Sequence, residues 1–215
     1  MTGWLCGIMP SPLDVLHSTF GFSSFRGRQA EVIERVMAGA HTLAVMPTGA
    51  GKSLTYQIPA LCRTGTALVV SPLIALMHDQ VRSAEAAGIR AAALTSADEN
   101  RGETINRFRD GALDLLYVAP ERVSTPGFQA MLDAGPQLAL IAIDEAHCVS
   151  QWGHDFRPEY RDLAQLPERF PGVPRIALTA TADPRTREDI LHALGMDDAR
   201  VFAASFHRPN LHVAA

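Results

Sequence analysis

Seven short runs of almost unbroken apolar residues punctuate the chain, at Thr42–Met46, Ala67–Ser71, Ala91–Thr95, Leu113–Ala119, Leu138–Ile143, Arg175–Thr179 and Val201–Ala204, with helical periodicity between them. A strand with one face in water alternates apolar and polar residues; runs without that alternation are covered on both faces. The pattern therefore predicts an α/β domain, a mostly parallel sheet with helices on both faces. Ligands of such sheets sit outside the carboxyl ends of the strands. The residues with chemistry to offer fall there: Thr48 to Ser53, Asp144-Glu145, and Thr179 to Thr181.

Two helices are expected before the first strand. Ser11-Pro12 followed by Asp14 has the form of an N-cap, a proline at the first helical position and an acid in the first turn, with Gly21 as the stop. A second helix is expected over Gln29 to Met37, halting at Gly39. At 215 residues the chain suits one substantial domain. Its formal net charge of −4 argues against broad electrostatic binding of nucleic acid, so any such contact must be local. Three scattered cysteines, Cys6, Cys62 and Cys148, suit a reducing cytosol better than a disulfide framework. His147, Cys148 and His154 lack a fourth metal ligand, so no zinc is expected in this segment. With no leader-like or membrane-spanning run, the expectation is a soluble intracellular protein.

Lys52 is the single lysine in a chain with eighteen arginines. A compact ammonium on a flexible stem reaches between phosphates where a planar guanidinium does not. It lies in Met46–Ser53, MPTGAGKS, where Gly49 and Gly51 let successive N–H groups converge and Lys52 is expected to open a helix. Ser53 offers a hydroxyl to magnesium. The strict phosphate-loop pattern wants glycine at position 46, where this chain has methionine.

Leu138 to Ile143 runs directly into Asp144-Glu145-Ala146-His147, which places two carboxylates where a buried strand emerges. Asp144 is suited to hold Mg2+ beside Ser53. Glu145 is suited to orient and deprotonate an attacking water. Just beyond, Trp152, His154, Phe156, Arg157 and Tyr160 crowd a chain that is only 7% aromatic, a grouping suited to stacking on unpaired bases. Ser71-Pro72 and Pro120-Glu121-Arg122 read as strand-to-helix turns that could face phosphate.

These residues carry a family resemblance. D-E-A-H after a strand, with T-G-x-G-K-S upstream, resembles a superfamily 2 helicase, and Asp144–Tyr160, DEAHCVSQWGHDFRPEY, resembles the RecQ branch of DNA helicases. Phe20–Gln29, FGFSSFRGRQ, resembles that branch's adenine-recognition motif. Ala177–Ala182, ALTATA, Ser71–Val81 and Ala119–Arg122 also match. The resemblance implies a RecA-like P-loop NTPase domain over residues 1–208, with 209–215 beginning a linker to a second RecA-like lobe.

It further implies that Gln29 reads adenine, with Phe22 stacking and Arg26 nearby, and that Thr48, Gly49, Ala50, Gly51, Lys52 and Ser53 hold ATP with Mg2+. Lys52 and Glu145 would be catalytic. His147, Trp152, His154, Phe156, Arg157, Thr179 and Thr181 would sense single-stranded or partially duplex DNA and relay it to the ATP site. The branch usually has Pro-Gly where this chain has Gly27-Arg28, tyrosine at Phe22 and glycine at Ala50. The expected function is the ATP-hydrolysing motor lobe of a 3′-to-5′ DNA helicase, cytoplasmic and nucleoid-associated in a bacterium or nuclear in a eukaryote. A small-molecule kinase and a non-catalytic DNA- or protein-binding lobe are the alternatives.

Overall fold

The structure, a computed structural model, describes residues 9–95, 100–151 and 155–203. Trp152, His154, Ala204 and the expected linker at 209–215 lie outside the described residues. Seven strands form one sheet: β1 (Thr42–Val45), β2 (Thr66–Val70), β3 (Ala91–Leu94), β4 (Leu115–Val118), β5 (Leu138–Ile143), β6 (Arg175–Thr179) and β7 (Arg200–Ala203). Every pairing is parallel, in the order β3-β4-β2-β5-β6-β1-β7. All seven expected strands are present, most with ends moved by a residue or two.

Burial explains the continuous apolar runs. On β1 and β2, Leu43, Val45, Leu68 and Val70 enter one hydrophobic layer with Ile141 and Ile143. The alternate residues Ala44, Ala67 and Val69 enter the opposite layer with Leu140 and Ala142. Both sides of these central strands thus leave water, as a sheet between helices requires, whereas the edge strand β7 keeps Arg200 exposed. The helices are α1 (Pro12–Phe20), α2 (Gln29–Met37), α3 (Leu54–Cys62), α4 (Ile74–Ala86), α5 (Arg101–Arg109), α6 (Pro120–Val123), α7 (Pro126–Asp133), α8 (Leu166–Arg169) and α9 (Pro184–Ala193).

The first helix starts and stops as its sequence indicates. Ser11 Oγ accepts from the Asp14 N–H at 3.2 Å, and the Asp14 carboxylate accepts from the Ser11 N–H at 3.3 Å. Gly21 takes the left-handed conformation that ends the helix, φ +70°. Two expected helix starts move. Neither Lys52 nor Pro72 opens a helix: α3 begins at Leu54 behind Ser53, and α4 begins at Ile74 behind Leu73. Ser71 is buried with its hydroxyl unbonded rather than capping, and the chain bends at Pro72 before Leu73 leads into α4.

Strand order determines what meets at the carboxyl edge. β5, β6 and β1 are consecutive neighbours, so the segments that follow them, 144–149, 180–182 and 46–53, emerge side by side.

Candidate active site

The segment after β1 turns through two left-handed glycines, Gly49 at φ +82° and Gly51 at φ +74°. Among the described residues Glu145 is the only non-glycine at positive φ, so Ala50 occupies ordinary backbone space without strain. Gly51 has a second constraint: a Cβ there would lie 2.4 Å from Gln29 Nε2. The helix behind the turn points its N-terminus at the loop, and Ser53 makes no side-chain cap bond to it.

Two clefts flank this turn and share Gly49 and Gly51. One, of about 340 Å3, is lined by Thr48, Lys52, Ser53, Tyr56, Asp144 and Glu145 among others. The other, of about 260 Å3, is lined by Phe22, Arg26, Gln29, Ala50 and Leu54 among others. The structure therefore brings all the expected nucleotide residues around one loop, polar groups on one side and an aromatic ring on the other. Phe22 is exposed, with the Arg26 guanidinium 5.7 Å from its ring centre.

Gln29 differs from expectation. Its amide is buried, donating to Ala50 O at 3.0 Å and Gly51 O at 3.3 Å while accepting from the Arg26 N–H at 2.9 Å. In this state it ties α2 to the turn, and reading a base edge requires it to exchange partners. Gly27 stands at φ +52°, which a proline ring forbids. The chain therefore reaches α2 differently from the Pro-Gly pattern, and Arg28 pairs with Glu31 at 2.8 Å.

At the end of β5 the two acids diverge in character. Burial, and then the charge of Glu145, raise the Asp144 carboxyl above its ordinary range. The His147 hydrogen bond holds Glu145 below its own, with Lys52 adding to the effect. Glu145 is held in the left-handed conformation, φ +46°, by bonds on both sides. Its N–H donates to Asp144 Oδ1 at 3.0 Å, its carbonyl accepts from Cys148 N–H at 2.9 Å, and the preceding carbonyl of Asp144 accepts from the buried Tyr160 hydroxyl at 2.8 Å.

A side-chain relay leaves Glu145. His147 Nδ1 lies 3.3 Å from Glu145 Oε2 and 2.9 Å from Thr179 Oγ1. The Thr179 hydroxyl donates to Thr181 O at 3.0 Å and accepts from the Thr181 N–H at 3.3 Å. Since the Thr179 proton goes to Thr181 O, Nδ1 of His147 carries a hydrogen toward Thr179 Oγ1. The imidazole is pushed up to about 10, first by the Cys148 sulfur and then by Glu145.

Of the expected DNA-contacting group, His147, Thr179 and Thr181 are joined in this relay, and Phe156 lies half-buried under the Arg161 guanidinium, 5.1 Å away. Arg157 is engaged internally. Its Nη1 donates to Pro72 O at 3.1 Å and its Nη2 pairs with Asp155 at 3.2 Å, which clamps the aromatic segment to the passage after β2. Sequence reading passed over Asp155 and did not give Tyr160 its role under Asp144. For Tyr160 the available signal was an aromatic closing the motif sixteen residues beyond the acid.

The chain matches the DEAD/DEAH box helicase family model over residues 26–190. It belongs to that family. Among curated DEAD/DEAH relatives, an ATP-dependent DNA helicase RecQ of Pasteurella multocida is 51% identical over 93% of this chain and 32% of its own length. Its namesake in Haemophilus influenzae is 50% identical over 94% and 33%. The chain thus spans about a third of the length of these two relatives, in keeping with an N-terminal RecQ-family helicase lobe. A hypothetical ATP-dependent RNA helicase of Sulfolobus tokodaii superposes with a TM-score of 0.67 at 19% identity, over 90% of this chain and 56% of that one. That likeness establishes the shared RecA-like fold. Among the described residues no helix of this DEAD/DEAH lobe is long and apolar enough to cross a membrane.

Proposed function

We propose that this lobe binds ATP with Mg2+ and couples its hydrolysis to movement on single-stranded DNA and duplex unwinding, as part of a RecQ-type helicase with a second lobe. One observation carries the reading. A polar cleft holding Lys52, Ser53 and both acids shares its glycine turn with a cleft holding Phe22 and Gln29, as a triphosphate joined to a flat base requires.

Mg2+ fits the residues present. Asp144 is a half-buried carboxylate destabilised by its own burial and by Glu145, and it lines the same cleft as the Ser53 hydroxyl. Both are hard oxygen donors. Bound there, the ion would neutralise charge on the phosphate oxygens. Lys52 supports the β- and γ-phosphates, the turn's N–H groups face them, and Glu145, held ionised, orients water for attack. The relay through His147, Thr179 and Thr181 gives the DNA side a physical line to that base. Strand polarity, 3′ to 5′, comes from the family resemblance, as do a second lobe that supplies an arginine and a site of action on chromosomal DNA.

Phe156 offers the accessible test of the DNA side. If a base displaces Arg161 and stacks on the ring, Phe156→Ala weakens binding of a labelled single-stranded oligonucleotide by about 1–3 kcal/mol. Fluorescence anisotropy measures this with a duplex of the same sequence as comparison. Unchanged affinity in the variant removes Phe156 from the DNA surface.

A further inference from the structure

Beside the relay lies a cluster of side chains that the proposed ATP chemistry does not use. The ligating atoms of His147, Cys148 and Asp155 all lie within 4.8 Å of one another. His147 Nε2 is 3.9 Å from Cys148 Sγ, which is 3.7 Å from Asp155 Oδ2. Zinc-type bonds to nitrogen, sulfur and oxygen of about 2.0–2.3 Å span a tetrahedron with edges of roughly 3.3–3.6 Å. The His147–Cys148 and Cys148–Asp155 separations exceed those edges by only a few tenths of an ångström, and the third edge lies within 4.8 Å. Cys148 is buried and Asp155 exposed, so the set has a closed floor and an open mouth.

A second observation is independent of the spacing. A histidine that ligates a metal through one nitrogen ordinarily donates its other N–H to a carboxylate or another acceptor, which fixes the ring. His147 already does this, with Nδ1 held by Thr179 Oγ1 and Glu145 Oε2 and Nε2 facing the sulfur. The expectation of no zinc in this segment rested on the lack of a fourth ligand beside His147, Cys148 and His154; the structure brings Asp155 to His147 and Cys148.

We propose that His147, Cys148 and Asp155 form a binding site for a soft divalent cation of the Zn2+ class, with solvent at the fourth position. Binding forms metal–sulfur, metal–nitrogen and metal–oxygen bonds. The thiol proton, and the Nε2 proton where present, pass to solvent, and Asp155 loosens its pairing with Arg157. Mg2+ does not compete, since it favours oxygen and shuns thiolate. Occupancy immobilises the ring that holds Glu145 and ties down the segment carrying Phe156, so it inhibits turnover. That consequence rests on Glu145 being the base, whereas the site itself does not.

Cd2+ serves as the probe, titrated into the reduced 215-residue chain in excess Mg2+ and followed by the thiolate-to-cadmium charge-transfer band. The expected result is one equivalent bound, retained in Cys62→Ser and abolished in Cys148→Ser. Asp155→Asn, an exposed change that leaves folding intact, weakens binding, and Thr179→Val, which removes a ring support, weakens it by about 10–100-fold. A band that persists in Cys148→Ser, an affinity indifferent to Asp155→Asn, or no band in the folded, reduced chain overturns the proposal. ATP binding is measured separately, so its failure would leave the cadmium result standing.

Discussion

Mg-ATP hydrolysis by these 215 residues is expected to run about 10³–10⁵-fold slower than by the same lobe extended with the remaining two thirds of the Pasteurella multocida relative, the range associated with a transition-state arginine. The reason lies in the phosphate cleft. Of the residues that line it, Lys52 is the sole cation among those described. Charge developing on the γ-phosphate oxygens would be met by one ammonium, a bound Mg2+ and the N–H groups of the glycine turn. The arginines nearest in sequence to Lys52 and Glu145 are engaged elsewhere, Arg63 with the carbonyls of Val36, Met37 and Ala139 and Arg157 with Pro72 and Asp155. Phosphate release measured side by side on the two proteins checks this. Rates within tenfold of each other would mean that the lobe completes its own site, for instance by pairing of two copies.

In the extended protein, Glu145→Gln is expected to lower turnover by about 10²–10⁴-fold while leaving ATP affinity nearly unchanged, the signature of a lost general base. The amide keeps the size of the side chain and can still accept from His147, so the left-handed turn at position 145 survives. What disappears is the charge that Lys52 and His147 stabilise. A parallel fall in affinity would place Glu145 in ground-state binding, and unchanged turnover would assign the base elsewhere. Steady-state rates with a separate nucleotide-binding titration distinguish the three.

The sheet was legible because its central strands are buried on both faces, and a run such as Leu138–Ile143 has no other stable placement in water. The glycine turn and the acids were legible for a related reason: Gly49 and Gly51 need left-handed backbone, and Asp144-Glu145 follow an apolar strand directly. Other features depended on contacts far apart in the chain. Gln29 is bonded to carbonyls twenty-one and twenty-two residues away, and nothing local announces that its amide is occupied. Ser71-Pro72 carries the local signature of a helix start, yet burial of Ser71 against the sheet overrides it. Arg157 was expected among the DNA-sensing residues, and nothing local announces its bond to Pro72 O, which closes an 85-residue separation. Asp155 was passed over because its neighbours are aromatic and its partner Cys148 is seven residues back.

The central claim is that the glycine turn with Lys52 holds the phosphates of ATP, and calorimetric titration of Mg-ATP into the 215-residue chain and its Lys52→Ala variant tests it most directly. Loss of charge-assisted bonds worth about 1.5–3 kcal/mol predicts one site in the parent chain, weakened roughly 10–150-fold in the variant. No binding to the folded parent, or equal binding to both, would contradict the account.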